Sequence, residues 1–170
     1  MKFLSLNLLL LGCIFLFCNE KNLEVKYYYD GPHPQEIQKG LEHWHSKNFL
    51  FKKTNTLKEA YLTISHVPSS GKTNPNWVAQ YNHRTKSILI YNKVNYFNSE
   101  ELIGIVAHEA GHFLGLEHNE EPDSVMNIKT SYDTIPSVKD KQKAINLVPS
   151  LFIKKTIDEK ILKHIRDFSQ

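Results

Sequence analysis

One segment of the chain limits its fold and its chemistry more than any other. It begins at His108 and reads His-Glu-Ala-Gly-His-Phe-Leu-Gly-Leu-Glu-His. Residues four apart lie on the same face of a helix, so His108 and His112 can both reach one metal ion. Glu109 lies about 100° around the helix from His108, where its carboxylate can touch an attacking water without binding the metal. The segment therefore predicts a helix with a metal site on one face.

A third histidine completes the ligand set only if the helix ends before it. Gly115 is placed to end the helix, because glycine accepts the left-handed conformation common just past a helix end, and His118 follows it. Three protein ligands leave the fourth position of a catalytic zinc ion open for water. Ordinary surface histidines rarely match five specified positions by chance. We therefore predict that His108, His112 and His118 bind one catalytic Zn²⁺ and that Glu109 is the catalytic general base.

The residues around the motif support a helix. Asn98 and Glu101 have the spacing of a capping box, so the helix is predicted from about Ser99 to Leu114 or Gly115. Its apolar side chains cluster away from the histidines, on the face expected to pack against a sheet. These residues are Leu102, Ile103, Val106, Ala107, Ala110, Phe113 and Leu114.

The motif and the sequence after it resemble the metzincin zinc metallopeptidases, which share H-E-x-x-H-x-x-G-x-x-H followed by a methionine turn. Ser124-Val-Met-Asn is the candidate turn here, and the resemblance places Met126 beneath the zinc. Three stretches are similar to the matrixin group in particular: Ala107 to His118, Asp123 to Met126, and Ile135 to Asp140. The resemblance implies an α+β fold, with a mixed, mostly parallel five-stranded sheet, two helices and a small C-terminal helical subdomain.

The same resemblance implies a zinc-dependent endopeptidase that hydrolyses protein or peptide bonds through a zinc-activated water, with Glu109 as base. In the metzincin layout, an extended peptide adds to the edge strand. The candidate substrate-binding residues are therefore Trp77, Val78, Ala79, Gln80 and Tyr81, although sheet packing explains Trp77 and Tyr81 equally well. Two alternatives stay open: a non-catalytic surface module that binds zinc or peptides on a peptidase fold, and a hydrolase of cell-wall peptide links. The intact Glu109 favours a peptidase.

The chain departs from the matrixin pattern at several points. Asn119 follows the third histidine, where matrixins usually carry Ser or Asp. A cysteine-switch propeptide is not recognisable, and the stretch from Pro68 to Tyr81 does not match the loops that bind structural zinc and calcium. We therefore expect one zinc and leave calcium binding open. Ile128 stands two residues after Met126, so a tyrosine zinc ligand of the astacin kind is not expected.

The N-terminus reads as an export signal. The apolar run from Phe3 to Cys18 follows Lys2 and is shorter than the about 20 residues of a membrane span. Leu10-Leu-Gly-Cys13 resembles a bacterial lipobox, which makes Cys13 the candidate lipidation site; an ordinary signal peptide is the alternative. Either way we expect a protein exported to the bacterial cell envelope, lipid-anchored or secreted. Both cysteines lie in this segment, so disulfides cannot stabilise the rest.

The length of 170 residues suits one domain. We predict a signal segment at 1–18, a catalytic domain at 19–153 and a C-terminal helix at 154–170 docked on that domain. Ser137 and Asp140 predict the cap of a short helix that precedes it and ends near Leu147. The net charge of +3 gives no reason to expect a nucleic acid partner. We expect a monomer that contacts the membrane only through a lipid anchor.

The remaining elements follow from periodicity and turn residues. Strands are predicted at Leu23–Tyr29, Ala60–Ser65, Trp77–Tyr81 and Ser87–Asn92, and a helix at Pro34–Asn48.

Overall fold

A computed structural model of the chain describes residues 23–47, 49–68, 77–91, 97–129 and 131–148. Its strands are β1 (Leu23–Tyr29), β2 (Phe49–Lys53), β3 (Leu62–Val67), β4 (Ala79–Asn82) and β5 (Ser87–Tyr91). Its helices are α1 (Pro34–Glu42), α2 (Ser99–Phe113) and α3 (138–148), with a short 3₁₀ turn at Leu57–Glu59. Cys13 and the predicted helix at 154–170 lie outside the described residues. Within the described ranges, no helix has both the length and the apolar character of a membrane span.

The five strands form one sheet in the order β2-β1-β3-β5-β4. The strands β2, β1, β3 and β5 run parallel to one another. The edge strand β4 pairs antiparallel with β5. This confirms the expected α+β fold with a mixed, mostly parallel sheet. Along β1, the buried Val25, Tyr27 and Tyr29 alternate with residues that are exposed or half-buried, as in a strand with one face on the core. Among the described residues, no strand pairs with the outer side of the antiparallel edge strand β4.

Several boundaries differ from the sequence prediction, and β3, for example, spans Leu62–Val67 instead of Ala60–Ser65. The first helix ends at Glu42 instead of Asn48, and β2, which was not predicted, begins at Phe49. The reason is tertiary: the Trp44 indole is buried in the core, where its Nε1–H donates to Ala107 O in α2 (2.8 Å). Trp44 therefore packs towards α2 in a turn, and the chain is free to re-enter the sheet. The edge strand also starts later than predicted, at Ala79 instead of Trp77.

α2 is the central element of the core. Asn98 Oδ1 accepts the Glu101 N–H (3.0 Å) and Glu101 Oε2 accepts the Asn98 N–H (2.8 Å), which confirms the predicted capping box. Near the other end, the Phe113 ring lies 5.7 Å from the Phe51 ring of β2 and 5.9 Å from the Tyr81 ring of β4. The two edge strands of the sheet therefore both reach the same turn of α2. This packing fixes the distance between α2 and β4.

Acid is expected to destabilise the wild-type fold more than a His45→Gln variant. His45 Nε2 accepts the backbone N–H of Phe51 in the edge strand β2 (2.9 Å), which requires a neutral ring. Burial lowers the pKa of His45 below its usual 6.5, although the Glu42 carboxylate acts in the opposite direction. Because the unfolded chain binds the proton more readily, His45 favours the fold above about pH 6.5 and loses this contribution as the pH falls below it.

Unfolding midpoints of the two proteins, measured from about pH 7.5 to about pH 5.5, test this expectation. Glutamine can accept the same N–H without titrating, and every other titrating group is common to both proteins. The wild-type midpoint should therefore fall further. An identical pH dependence of the two midpoints would show that protonation of His45 does not affect the stability of the fold.

Candidate metal centre and active-site cleft

The end of α2 turns the chain back towards the helix face. Gly115 has a φ of 91°, in the left-handed region that favours glycine. Its N–H bonds to His112 O (3.0 Å), and the N–H of Leu116 bonds to Gly111 O (2.9 Å). This pair of bonds is the Schellman motif, in which a left-handed residue ends the helix. The reversal at Gly115 brings His118 beside the histidines of α2.

The three motif histidines converge on one point. His118 Nε2 lies 3.2 Å from His108 Nε2 and 3.1 Å from His112 Nε2. The three ligand atoms all lie within 4.8 Å of one another. Nitrogen atoms around a tetrahedral zinc ion, with Zn–N of about 2.0–2.1 Å, are about 3.3–3.4 Å apart. The arrangement therefore fits a single small metal ion held by three imidazoles.

Backbone carbonyl groups orient two of these rings. His108 Nδ1 lies 2.7 Å from Val125 O, and His112 Nδ1 lies 2.8 Å from Leu116 O. A carbonyl only accepts, so each Nδ1 carries the proton and each Nε2 offers its lone pair to the metal. Burial lowers the pKa of His108 to about 4 and also lowers the pKa of His112. Both rings are therefore neutral at neutral pH, as metal binding requires.

Glu109 lies beside the three imidazoles, at the rim formed by β4. Its side chain is 8% exposed, and its Oε2 accepts the backbone N–H of Tyr81 (2.6 Å). Burial raises the pKa of Glu109 to about 7, although the Tyr81 hydrogen bond lowers it. A carboxylate with a proton affinity near neutrality can both take up and release a proton at neutral pH.

Met126 lies in the core under the metal-binding part of α2. Its side chain is fully buried, and it packs so closely against Gly111 that a Cβ at this position would collide with the Met126 sulfur. Gly111 stands directly before His112 in the helix. The lack of a side chain at Gly111 therefore allows the methionine turn to approach the helix beside the ligands.

Asp140 joins the methionine turn to the start of α3. Its side chain is fully buried. Its carboxyl oxygens accept hydrogen bonds from Ser124 Oγ (2.6 Å), Val125 N (3.1 Å), Ser137 N (3.0 Å) and Ser137 Oγ (2.9 Å). Val125 is also the residue whose carbonyl orients His108. Asp140 therefore supports a metal ligand through one intervening residue.

A cleft of about 600 Å³ runs along the open side of β4 and contains the three imidazoles and Glu109. Two of its walls are β4 with the residues before it, and α2. The third wall is the chain that follows α2. The lining residues in these walls include Trp77, Val78, Ala79, Gln80, Tyr81, Ile105, Leu116, Glu117, Asn127, Ile128 and Tyr132. All five candidate substrate-binding residues thus lie in one wall of the cleft.

The sequence model of the matrixin peptidase family matches residues 30–153, which is most of the chain. The chain belongs to the matrixin family. The structure is similar to that of archaemetzincin from Methanopyrus kandleri, with a TM-score of 0.53, 11% sequence identity, and coverage of 78% of this chain and 98% of that one. At this identity the similarity shows the fold, which is metzincin-like. No individually curated relative matches the sequence. Family and fold together support a zinc metallopeptidase that acts on a protein or peptide.

This matrixin carries a site residue whose importance the sequence did not reveal. Asn119 replaces the Ser or Asp usual in the family, and its N–H bonds to Met126 O (3.2 Å). Its Nδ2 donates to Ser124 Oγ (2.9 Å), and its Oδ1 accepts the N–H of Glu121 (3.0 Å). Asn119, which directly follows the third histidine, is thus hydrogen-bonded to the methionine turn. The departure from the family pattern marked this position, but its partners are visible only in the fold.

Proposed function

We propose that this matrixin is a zinc-dependent endopeptidase in which His108, His112 and His118 hold the metal and Glu109 is the general base. The observation that carries the proposal is the convergence of three imidazole Nε2 atoms in a cleft that also holds the buried Glu109 carboxylate. A module that only binds zinc or peptides has no chemical need for that carboxylate. A catalytic function therefore explains the Glu109 carboxylate, which a binding function leaves unexplained.

The chain's own groups can carry the proton transfers of the hydrolysis. Zinc, when bound, would supply Lewis-acid chemistry that polarises the peptide carbonyl and acidifies water. Glu109 accepts a proton from the water while the water oxygen bonds to the carbonyl carbon of the substrate. The same carboxyl group then donates that proton to the amide nitrogen, and the carbon–nitrogen bond breaks. The products are a carboxylic acid and an amine, and Glu109 returns to its starting state.

The cleft suits an extended peptide with apolar side chains. The open edge of β4 offers backbone groups to which a peptide strand can add. Three large apolar side chains are exposed in the cleft: Trp77 (43%), Ile128 (68%) and Tyr132 (47%). Exposed apolar surface of this kind marks a site of interaction. We therefore expect cleavage next to an apolar residue of the substrate.

Chelator-sensitive cleavage of a mixed peptide library by the purified protein tests this function. We expect one bound zinc per chain, cleavage that stops when the metal is removed, and recovery when zinc is returned. His118→Gln should lose the zinc, whereas His83→Gln, which changes an exposed histidine of the same cleft outside the triad, should keep it. Including cell-wall peptide fragments in the library identifies a wall hydrolase.

Two results would contradict the proposal. A protein that holds zinc but cleaves nothing in the library would be a binding module on a peptidase fold. Cleavage that a chelator leaves unchanged would remove the metal from the mechanism.

A further inference from the structure

The carboxylate of Glu109 is held at its far end by the backbone of β4. Tyr81 N lies 2.6 Å from Glu109 Oε2, a short and direct hydrogen bond. The helix α2 fixes only the first atoms of the Glu109 side chain, whose remaining bonds can rotate. The Tyr81 N–H is therefore a fixed contact for the carboxylate at the far end of the side chain.

This N–H is one that the sheet does not use. Tyr91 N–H donates to Val78 O (2.9 Å), which sets the pairing of β4 with β5. In an antiparallel ladder, alternate residues turn their N–H and C=O groups to the same neighbour. Gln80 therefore faces β5, whereas Ala79 and Tyr81 face the open edge of the sheet. The hydrogen bond from Tyr81 to Glu109 agrees with this direction.

We propose that the Tyr81 N–H is a positioning group for the general base, which holds Glu109 Oε2 so that the other carboxylate oxygen faces the attacking water. The inference rests on the proposed function, because a positioned base needs a reaction to serve. A misplacement of about 1 Å in a reacting group can cost about 10²-fold in rate. Tyr81 therefore acts on the chemical step through its backbone, while its ring packs on Phe113.

The proposal divides the open edge of β4 between two tasks. An N–H that holds Glu109 is not available to a substrate carbonyl. A substrate carbonyl that pairs with β4 must then take its N–H from the other outward-facing residue, Ala79, which also lies in the cleft wall. Loss of the Tyr81 N–H should therefore change kcat, and loss of the Ala79 N–H should change KM.

Proline substitutions separate the two tasks. Tyr81→Pro removes the N–H, and proline is tolerated in edge strands where the N–H points away from the sheet. Tyr81→Ala removes the same ring but keeps the N–H, so it is the matched control. Ala79→Pro removes the other outward N–H of the strand. Values of kcat and KM are measured on the full zinc-loaded chain with a peptide that the wild type cleaves, together with zinc content.

The expected result is a kcat for Tyr81→Pro about 10- to 100-fold below that of Tyr81→Ala, with KM within about twofold. Ala79→Pro should instead raise KM. A raised KM with an intact kcat in Tyr81→Pro would assign its N–H to the substrate and overturn the proposal. Equal kinetics of Tyr81→Pro and Tyr81→Ala would also overturn it, and would leave the proposed function intact.

A backbone ester gives a second measurement that does not depend on how proline folds. Replacing Tyr81 with its α-hydroxy acid removes the N–H and keeps the ring, and the same change at Ala79 is the matched control. The expected split between kcat and KM is the same as for the proline variants. A wild type that holds zinc without cleaving any peptide would instead contradict the proposed function itself.

Discussion

Replacing Glu109 with glutamine is expected to lower kcat by about 10²- to 10⁴-fold while zinc content stays the same. Glutamine has nearly the shape of glutamate, and its amide oxygen can still accept the Tyr81 N–H. The metal ligands should therefore keep their places. The amide cannot take a proton from water, so the step that depends on a base is lost. Peptide cleavage kinetics and metal analysis on the same samples measure the two effects separately.

Glu100→Gln is the matched control for this experiment. It makes the same chemical change in the first turn of the same helix, at an exposed position far from the ligands. We expect it to retain wild-type kinetics. A Glu109→Gln protein that cleaves peptides at the wild-type rate would refute the proposed mechanism. Loss of zinc in Glu109→Gln would instead show that the carboxylate helps to hold the metal site.

Asp140→Ala is expected to lower the free energy of unfolding by about 3 kcal/mol or more, and to weaken zinc binding by about 10- to 100-fold. The substitution removes the acceptor of four hydrogen bonds, two of them from backbone N–H groups. A buried donor left without a partner costs about 1–3 kcal/mol. Val125 also loses an anchor, so its carbonyl orients His108 less well. Denaturant unfolding with and without zinc, and zinc titration, measure both effects.

Asp123→Ala provides the comparison, because Asp123 is an exposed residue of the segment that leads to the methionine turn. Surface substitutions of this kind usually change stability by less than about 0.5 kcal/mol. An Asp140→Ala protein that unfolds like Asp123→Ala would show that the buried hydrogen bonds are replaced by other partners. A destabilised Asp140→Ala protein with unchanged zinc affinity would limit the role of Asp140 to folding.

The parts of this site that the sequence predicts are those that depend on neighbours along the chain. The helix periodicity of His108 and His112 needs no knowledge of the rest of the fold. The capping box at Asn98 and the reversal at Gly115 are also local, and both are present in the structure. For this reason the convergence of the three imidazoles could be anticipated from one short segment.

The parts that the sequence does not predict join distant residues. Ser137 and Asp140 are recognisable as a helix cap, but the Asp140 bond to Val125 spans 15 positions. The hydrogen bond from Tyr81 to Glu109 spans 28 positions. Strand β2 has five residues, and its pairing with β1 joins segments that lie on either side of α1 in the chain. Such contacts depend on how the elements pack, which no local pattern encodes.

The reversal at Gly115 divides the imidazoles between two parts of the molecule. Two of them belong to α2, and His118 belongs to the chain that leads into the C-terminal part. Residues 19–170 contain no cysteine, so these two parts cannot be joined through sulfur. A metal held by both parts would be a reversible cross-link between them, with binding free energy that adds to folding. The resistance of the C-terminal part to unfolding would then follow the free metal concentration around the protein.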